Sequence, residues 1–204
     1  LRECGILEGV LVTNARFASS FKRFLESKDL PLSLELINDG STDPENRLGA
    51  ARDLALALEV VPKEEPVFVT ASDNLYTAPF DSLVRRFEEV KAPVVALMKE
   101  KDPEVLKRSG VAEIDSEGRL LSFVEKPKVP KGKYTTPPLY LYPEDIREDI
   151  ASFLNDPGQD HDAPGNLVSF LLERRAVYGV ILKGKRYDVG SLESYAEAKR
   201  AFAS

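Results

Sequence analysis

Apolar positions along this chain recur with two alternating spacings. Gly9-Val-Leu-Val-Thr13 is a short continuous apolar run of the strand kind. Asn14 follows as a helix cap, and Phe17, Phe21, Phe24 and Leu25 lie at helical spacing behind it. Leu32–Ile37 alternates and predicts a second strand, broken by the turn residues Asn38-Asp-Gly40. Leu48, Ala51, Leu54, Ala55 and Leu58 mark a helix that ends before Pro62. Strands are predicted at 67–71 and 92–98, with a helix carrying Phe80, Leu83, Val84 and Phe87 between them. The order strand–helix–strand–helix–strand–helix–strand, in near-continuous apolar strands, is that of a doubly wound, mostly parallel α/β sheet with both faces covered.

The pattern then changes. Val111–Asp115 and Arg119–Lys126 flank Ser-Glu-Gly, a hairpin signal. Leu139–Tyr142 is a short strand, followed by a helix from about Pro143 to Leu154 and a loop over 155–165. Residues 166–175 read as helix and 176–182 as strand, and Ser191 caps a last helix with Leu192, Tyr195, Ala198 and Phe202 on one face. The opening Leu1-Arg-Glu-Cys-Gly-Ile6 reads as the end of a helix already under way, with Gly5 as its C-cap. One domain over 1–204 is expected, made of a half at 1–100, a half at 101–190 and a terminal helix at 191–204.

Composition narrows the chemistry. With 43% apolar and 30% charged residues the chain is of ordinary globular type. No apolar run reaches the length that spans a bilayer, and no leader pattern opens the chain. The net charge of −6 and the absence of a basic stripe exclude a nucleic-acid surface. Cys4 is the single cysteine and His161 the single histidine, which excludes intrachain disulfides, thiolate clusters and multi-histidine metal sites. Chemistry must rest on carboxylates, lysines, arginines, backbone amides and a hard metal ion. The acidic balance, free thiol and lack of a leader point to the cytoplasm.

Asp73 ends the apolar run of Pro66-Val-Phe-Val-Thr-Ala-Ser-Asp73, and Asp188 stands in Gly184-Lys-Arg-Tyr-Asp-Val-Gly190 before the last helix. Either acid alone is read more readily as a turn or cap residue. Together, at the carboxyl ends of strands where ligands sit in such sheets, they are candidate ligands of one Mg²⁺ whose other oxygens come from phosphates. Glu125-Lys126 ends an apolar strand and is braced by Pro127. As an ordinary surface pair it means little; as a site, the lysine is a point charge for phosphate and the carboxylate an acceptor for sugar hydroxyls. Gly110 is either a plain turn residue or a place where a ligand approaches the backbone. Arg47-Leu48-Gly49 leads a loop into a helix N-terminus, a weak sign of an anion or base site.

In order and spacing, Ser72-Asp-Asn-Leu-Tyr76, Ser109–Lys131 with its Phe-Val-Glu-Lys-Pro, Leu139-Tyr-Leu-Tyr-Pro143, Asp162–Arg174 and Tyr187-Asp-Val-Gly-Ser191 resemble the sugar-1-phosphate nucleotidyltransferases, or NDP-sugar pyrophosphorylases. The resemblance covers nearly the whole chain. It implies a Rossmann-like α/β fold with a small β-hairpin subregion, Mg²⁺ held by Asp73 and Asp188, and Lys126 on the sugar phosphate. It further implies Glu125 and the Gly110 backbone at the sugar ring, and Arg47, Leu48 and Gly49 near the base. The substrates would be an NTP and a sugar-1-phosphate, with self-association left open.

The chain departs from that pattern in three places. The family's Gly-Gly-x-Gly-Thr-Arg loop and its Pro-Lys dipeptide have no counterpart, so a further ~40 residues, one strand–loop–helix unit, are expected ahead of Leu1. Ser72 stands where glycine is usual, and Pro137-Pro138 where Thr-Gly is common. These departures keep a second reading open, a non-catalytic relative that binds or regulates. A nucleotide-sugar-dependent glycosyltransferase is a third, disfavoured because Ala71-Ser-Asp-Asn74 supplies one acid where Asp-x-Asp is usual.

Overall fold

The computed structural model describes residues 1–203. A 3₁₀ turn over Arg2–Cys4 opens the chain, where the sequence predicts the tail of an α-helix. Strand β1 (Glu8–Thr13) leads to Asn14, whose side-chain oxygen accepts the amide of Phe17 at 3.1 Å and starts α1 (Ala15–Ser27). Then come β2 (Ser33–Asn38), α2 (Ala50–Val60), β3 (Val67–Thr70), β4 (Asn74–Tyr76), α3 (Asp81–Val90) and β5 (Val94–Lys99). A short α4 (Pro103–Lys107) precedes the hairpin β6 (Gly110–Ile114) and β7 (Leu120–Glu125). Asp115 closes that hairpin by accepting the amides of Glu117 and Arg119, each at 2.9 Å. The remaining elements are β8 (Tyr134–Thr136), β9 (Leu139–Tyr142), α5 (Ile146–Asn155), α6 (Pro164–Leu172), β10 (Tyr178–Ile181), β11 (Arg186–Asp188) and α7 (Leu192–Phe202).

These elements form two compact units, Leu1–Pro66 with Pro143–Leu171, and Val67–Tyr142 with Leu172–Ser204. In the first, β1 and β2 pair in parallel from Glu8–Ser33 to Thr13–Asn38, α1 packs on β2, and α2 packs on β1 and α5. No residue of either strand is fully buried. The core lies instead under α5 and α6, where Ile146, Ile150, Phe153, Leu167, Val168 and Leu171 are buried. Arg147 ties α5 to the end of α2 by donating to the carbonyls of Leu58, Val61 and Pro62. Those carbonyls lie at and just beyond a helix C-terminus, where backbone acceptors run out of intrahelical donors; the Pro62 carbonyl also accepts the Glu65 amide at 3.3 Å.

The second unit is built on a mixed sheet in the order β3-β9-β5-β8-β6-β7, with β10 alongside β5 in parallel. Strand β9 runs antiparallel between β3 and β5. Its Leu-Tyr-Leu-Tyr and the Val-Val-Ala-Leu of β5 are buried throughout, so both are apolar on both faces. Leu83 and Phe87 of α3 pack with Val94, Ala96, Leu139 and Leu141 in the main cluster. Burying one such leucine contributes about 1.5–3 kcal/mol. On α7 only Ala198 of the predicted apolar face is buried; Leu192, Tyr195 and Phe202 stay exposed. Helix α6 ends at Leu172, short of Arg175. Among the described residues no helix is long and apolar enough to cross a membrane.

Candidate active site

Asp73 and Asp188, far apart in sequence, meet at a two-stranded antiparallel ribbon. Its register pairs Arg186 with Tyr76, Tyr187 with Leu75, and Asp188 with Asn74. The amide of Val189 donates to the carbonyl of Asp73 at 2.7 Å, which locks the residue after one acid to the backbone of the other. A side-chain relay links the carboxylates. Asn74 Nδ2 donates to Asp73 Oδ1 at 2.6 Å, Arg186 Nε donates to Asn74 Oδ1, and Arg186 Nη2 donates to Asp188 Oδ2 at 2.7 Å. One oxygen of each carboxylate is left without a protein hydrogen bond among the described residues.

The relay explains the burial of Asn74, whose amide is satisfied on both sides. Beside it, burial pushes the Tyr76 phenol up to about 12; Arg186 pulls the other way, while Asp73 and Asp188 push it further up. The Tyr76 hydroxyl has no hydrogen-bond partner among the described residues. Arg186 is the residue that sequence reading missed. In Lys-Arg-Tyr-Asp it looks like a surface cation, and only the pairing of β11 with β4 turns it toward both acids.

The remaining candidates of this unit lie at neighbouring strand ends. Gly110 pairs with Glu125 on one side and Thr136 on the other. Lys126 follows Glu125 with φ 46°, a left-handed backbone uncommon for a lysine, held by its amide donating to Ser109 O at 3.1 Å. Its ammonium has no partner among the described residues. Pro138 accepts the amide of Ala71 at 3.3 Å, joining the loop that carries Asp73 to the strand end beside Thr136. Proline loses its donor but keeps this acceptor. Tyr140 is buried, and its phenol is held well above the usual range by burial and then by the Glu125 carboxylate.

The close approach at Gly110 has an internal cause. A Cβ there would lie 2.5 Å from Phe123 Cζ and 2.7 Å from Thr136 Oγ1, so side-chain packing alone demands glycine. Arg47, Leu48 and Gly49 belong to the other compact unit. Arg47 is ion-paired with Asp162 at 2.6 Å, with both side chains about half exposed. Gly49 adopts φ 88° and ψ 155° as the N-cap of α2, pressed against the 161–162 backbone. A cavity of about 410 Å³ lined by Arg85, Arg86, Glu89, Asp115 and Ile181 lies elsewhere in the second unit and includes none of the predicted site residues.

Among the described residues no three histidine, cysteine or acidic side chains gather around one point. Two carboxylates, each with an uncommitted oxygen, are a hard and incomplete donor set. That set fits a divalent ion of the Mg²⁺ kind when a ligand's phosphates supply the remaining oxygens.

The family model for nucleotidyl transferases matches residues 1–204, and the chain belongs to that family. It is 32% identical over 154 residues to a glucose-1-phosphate thymidylyltransferase of Actinoplanes sp., covering 74% of this chain and 48% of the relative. A glucose-1-phosphate adenylyltransferase of Desulfitobacterium hafniense is 28% identical over 66% of this chain and 34% of its own. The chain thus spans about a third to a half of these relatives' length. In fold it is similar to a crystal structure described as a glucose-1-phosphate thymidylyltransferase from Bacillus anthracis in complex with sucrose. That match has a TM-score of 0.83 at 23% identity and covers 98% of this chain and 78% of that one.

Proposed function

We infer that this chain is part of an enzyme that transfers a nucleotidyl group from an NTP to a sugar-1-phosphate, giving an NDP-sugar and pyrophosphate. The observation that carries the reading is the locked ribbon that brings Asp73 beside Asp188. Family membership and the names of the relatives support the reaction class. In this reading residues 1–100 serve the nucleotide and 101–190 the sugar phosphate, within one catalytic domain.

The chemistry suits the residues present. A phosphate oxygen of the sugar-1-phosphate forms a bond to the α-phosphorus of the NTP, and the bridging bond to the β-phosphate breaks in line. The nucleophile is already anionic, so no histidine or activated serine is required. Catalysis then rests on positioning and charge neutralisation. Asp73 and Asp188 would hold Mg²⁺, which neutralises charge on the phosphates when bound. Lys126 is aimed by its constrained backbone and supplies a point charge to the sugar phosphate. Glu125 accepts sugar hydroxyls, and the Gly110 backbone lies beside it. Arg47, Leu48 and Gly49 would serve the base.

The test is turnover. The natural full-length protein with Mg²⁺ is expected to convert at least one pairing of a common NTP with a hexose-1-phosphate into NDP-sugar, and D73N and D188N to lose at least 100-fold in kcat, about 2.7 kcal/mol. No product from any pairing with a folded sample, or full activity in D188N, refutes the assignment.

A further inference from the structure

Arg186 does something that the proposed reaction does not by itself require. It places a guanidinium beside the acid pair, on Asp188 at 2.7 Å and, through Asn74, two hydrogen bonds from Asp73. Its side chain is 25% exposed and that of Asp188 58% exposed. It shares one face of the ribbon with Asp188, because residues two apart on a strand point the same way. The fixed charges at this point are therefore two negative and one positive. Tyr76, directly opposite Arg186 across the ribbon, is a phenol whose pKa burial raises to about 12, so it adds no charge here.

We propose that Arg186 is a resident counter-ion that competes with a divalent cation for Asp73 and Asp188, so that metal binds this site productively only when it arrives already bound to phosphate. The proposal rests on the reading of Asp73 and Asp188 as the metal pair. A divalent ion on the free oxygen of Asp188 would lie within about 5 Å of the guanidinium. Repulsion between a double and a single positive charge at that distance corresponds to about tenfold in affinity even at the dielectric constant of water. An incoming polyphosphate reverses the balance. It brings negative charge of its own and offers the guanidinium a new acceptor, so the same arginine favours the metal–phosphate complex. Arg186 is thus a positioning residue that sets the order of binding: metal and triphosphate together, not metal first.

The experiment measures Mn²⁺ bound to the full chain by electron paramagnetic resonance, with and without a non-hydrolysable NTP, in the parent, R186Q, R186A and D188N proteins. Glutamine keeps a donor for Asn74 without the charge. R186Q is expected to bind Mn²⁺ alone about tenfold more tightly than the parent, and to lose that advantage when the nucleotide analogue is present. If R186Q does not fold, R186A gives the same reading without the charge. A purely structural arginine would weaken Mn²⁺ binding on removal, so unchanged or weaker binding in the folded variant overturns the proposal. D188N separates the two levels: if it leaves Mn²⁺ binding unchanged, the acid pair is not the metal site, and that reading and this proposal fall together. If D188N abolishes binding and R186Q does not tighten it, this proposal alone falls.

Discussion

Replacing Gly49 by alanine tests how the Arg47-Leu48-Gly49 segment is built. Gly49 has φ 88° and ψ 155°, a region essentially closed to residues with a side chain. Strain of that kind costs about 1–3 kcal/mol. An added Cβ would also stand 2.8 Å from the His161 carbonyl oxygen and 3.0 Å from Asp162 Cα, both backbone atoms. The 161–162 segment cannot yield freely, because its carbonyls accept the first amides of α2, Ala51 at 3.2 Å and Ala50 at 3.3 Å. Losing both bonds adds about 1 kcal/mol each at most. The expected total is about 3 kcal/mol. Gly40 provides the control: it has φ 80° with nothing within 4 Å of the added Cβ, so G40A isolates torsional strain at about 1 kcal/mol. Urea unfolding followed by far-ultraviolet circular dichroism reads both. With a slope of about 2 kcal/mol per molar, G49A should lower the midpoint by about 1.5 M and G40A by about 0.5 M. If G49A shifts the midpoint no further than G40A, the close backbone approach is not what demands glycine.

Three further outcomes are expected. Asp53 carries an unpartnered buried oxygen, and burial, with Asp39 as the lesser cause, raises its pKa to about 6. Because the folded-state value is the higher one, ionised Asp53 opposes folding above pH 6, and that penalty disappears as pH falls toward 4; D53N should therefore stabilise the protein at pH 8 by about 1 kcal/mol, after allowance for solvent screening, and make no difference at pH 3.5. Equal melting curves for D53N and parent at pH 8 would contradict this. K126G should relieve the left-handed strain and raise stability by up to about 1 kcal/mol while losing activity, whereas K126A should lose activity without that gain; equal stability of the two variants removes the case for strain at this residue. G110A forces its Cβ into Phe123 and Thr136 and should destabilise by about 1–3 kcal/mol in unfolding experiments with no ligand present; a neutral effect would return the glycine to a ligand-approach role.

Much of this fold is legible because long periodic stretches decide their own structure. The Asn14 cap, the Phe stripe of α1, the Ser116-Glu-Gly118 hairpin and the Ser191 cap, which the structure extends into a reciprocal capping box with Ser194, are local signals. The three-residue strands β4, β8 and β11 were not legible, since each exists only through its partner in a distant segment. The crossing of β9 between β3 and β5 was hidden for the same reason: a buried apolar strand carries no mark of its neighbours' direction. At the candidate site, motif spacing pointed to Asp73 and Asp188, and the ribbon brings the two segments together. Arg186 could not be found that way, since a lysine-arginine pair in a turn is ordinary surface composition until the ribbon register is known. The double role of Gly49 as cap and contact likewise needs the 161–162 backbone, more than 100 residues on, to be seen.

The most direct test of the acid pair is a crystal of the full-length protein grown with Mn²⁺ and a non-hydrolysable NTP, with anomalous scattering collected for manganese. One anomalous peak is expected between the carboxylates, about 2.1–2.2 Å from an oxygen of Asp73 and an oxygen of Asp188, with the Arg186 guanidinium turned onto phosphate. Bound nucleotide whose manganese lies away from both acids, with the Arg186–Asp188 pair unbroken, would contradict the account.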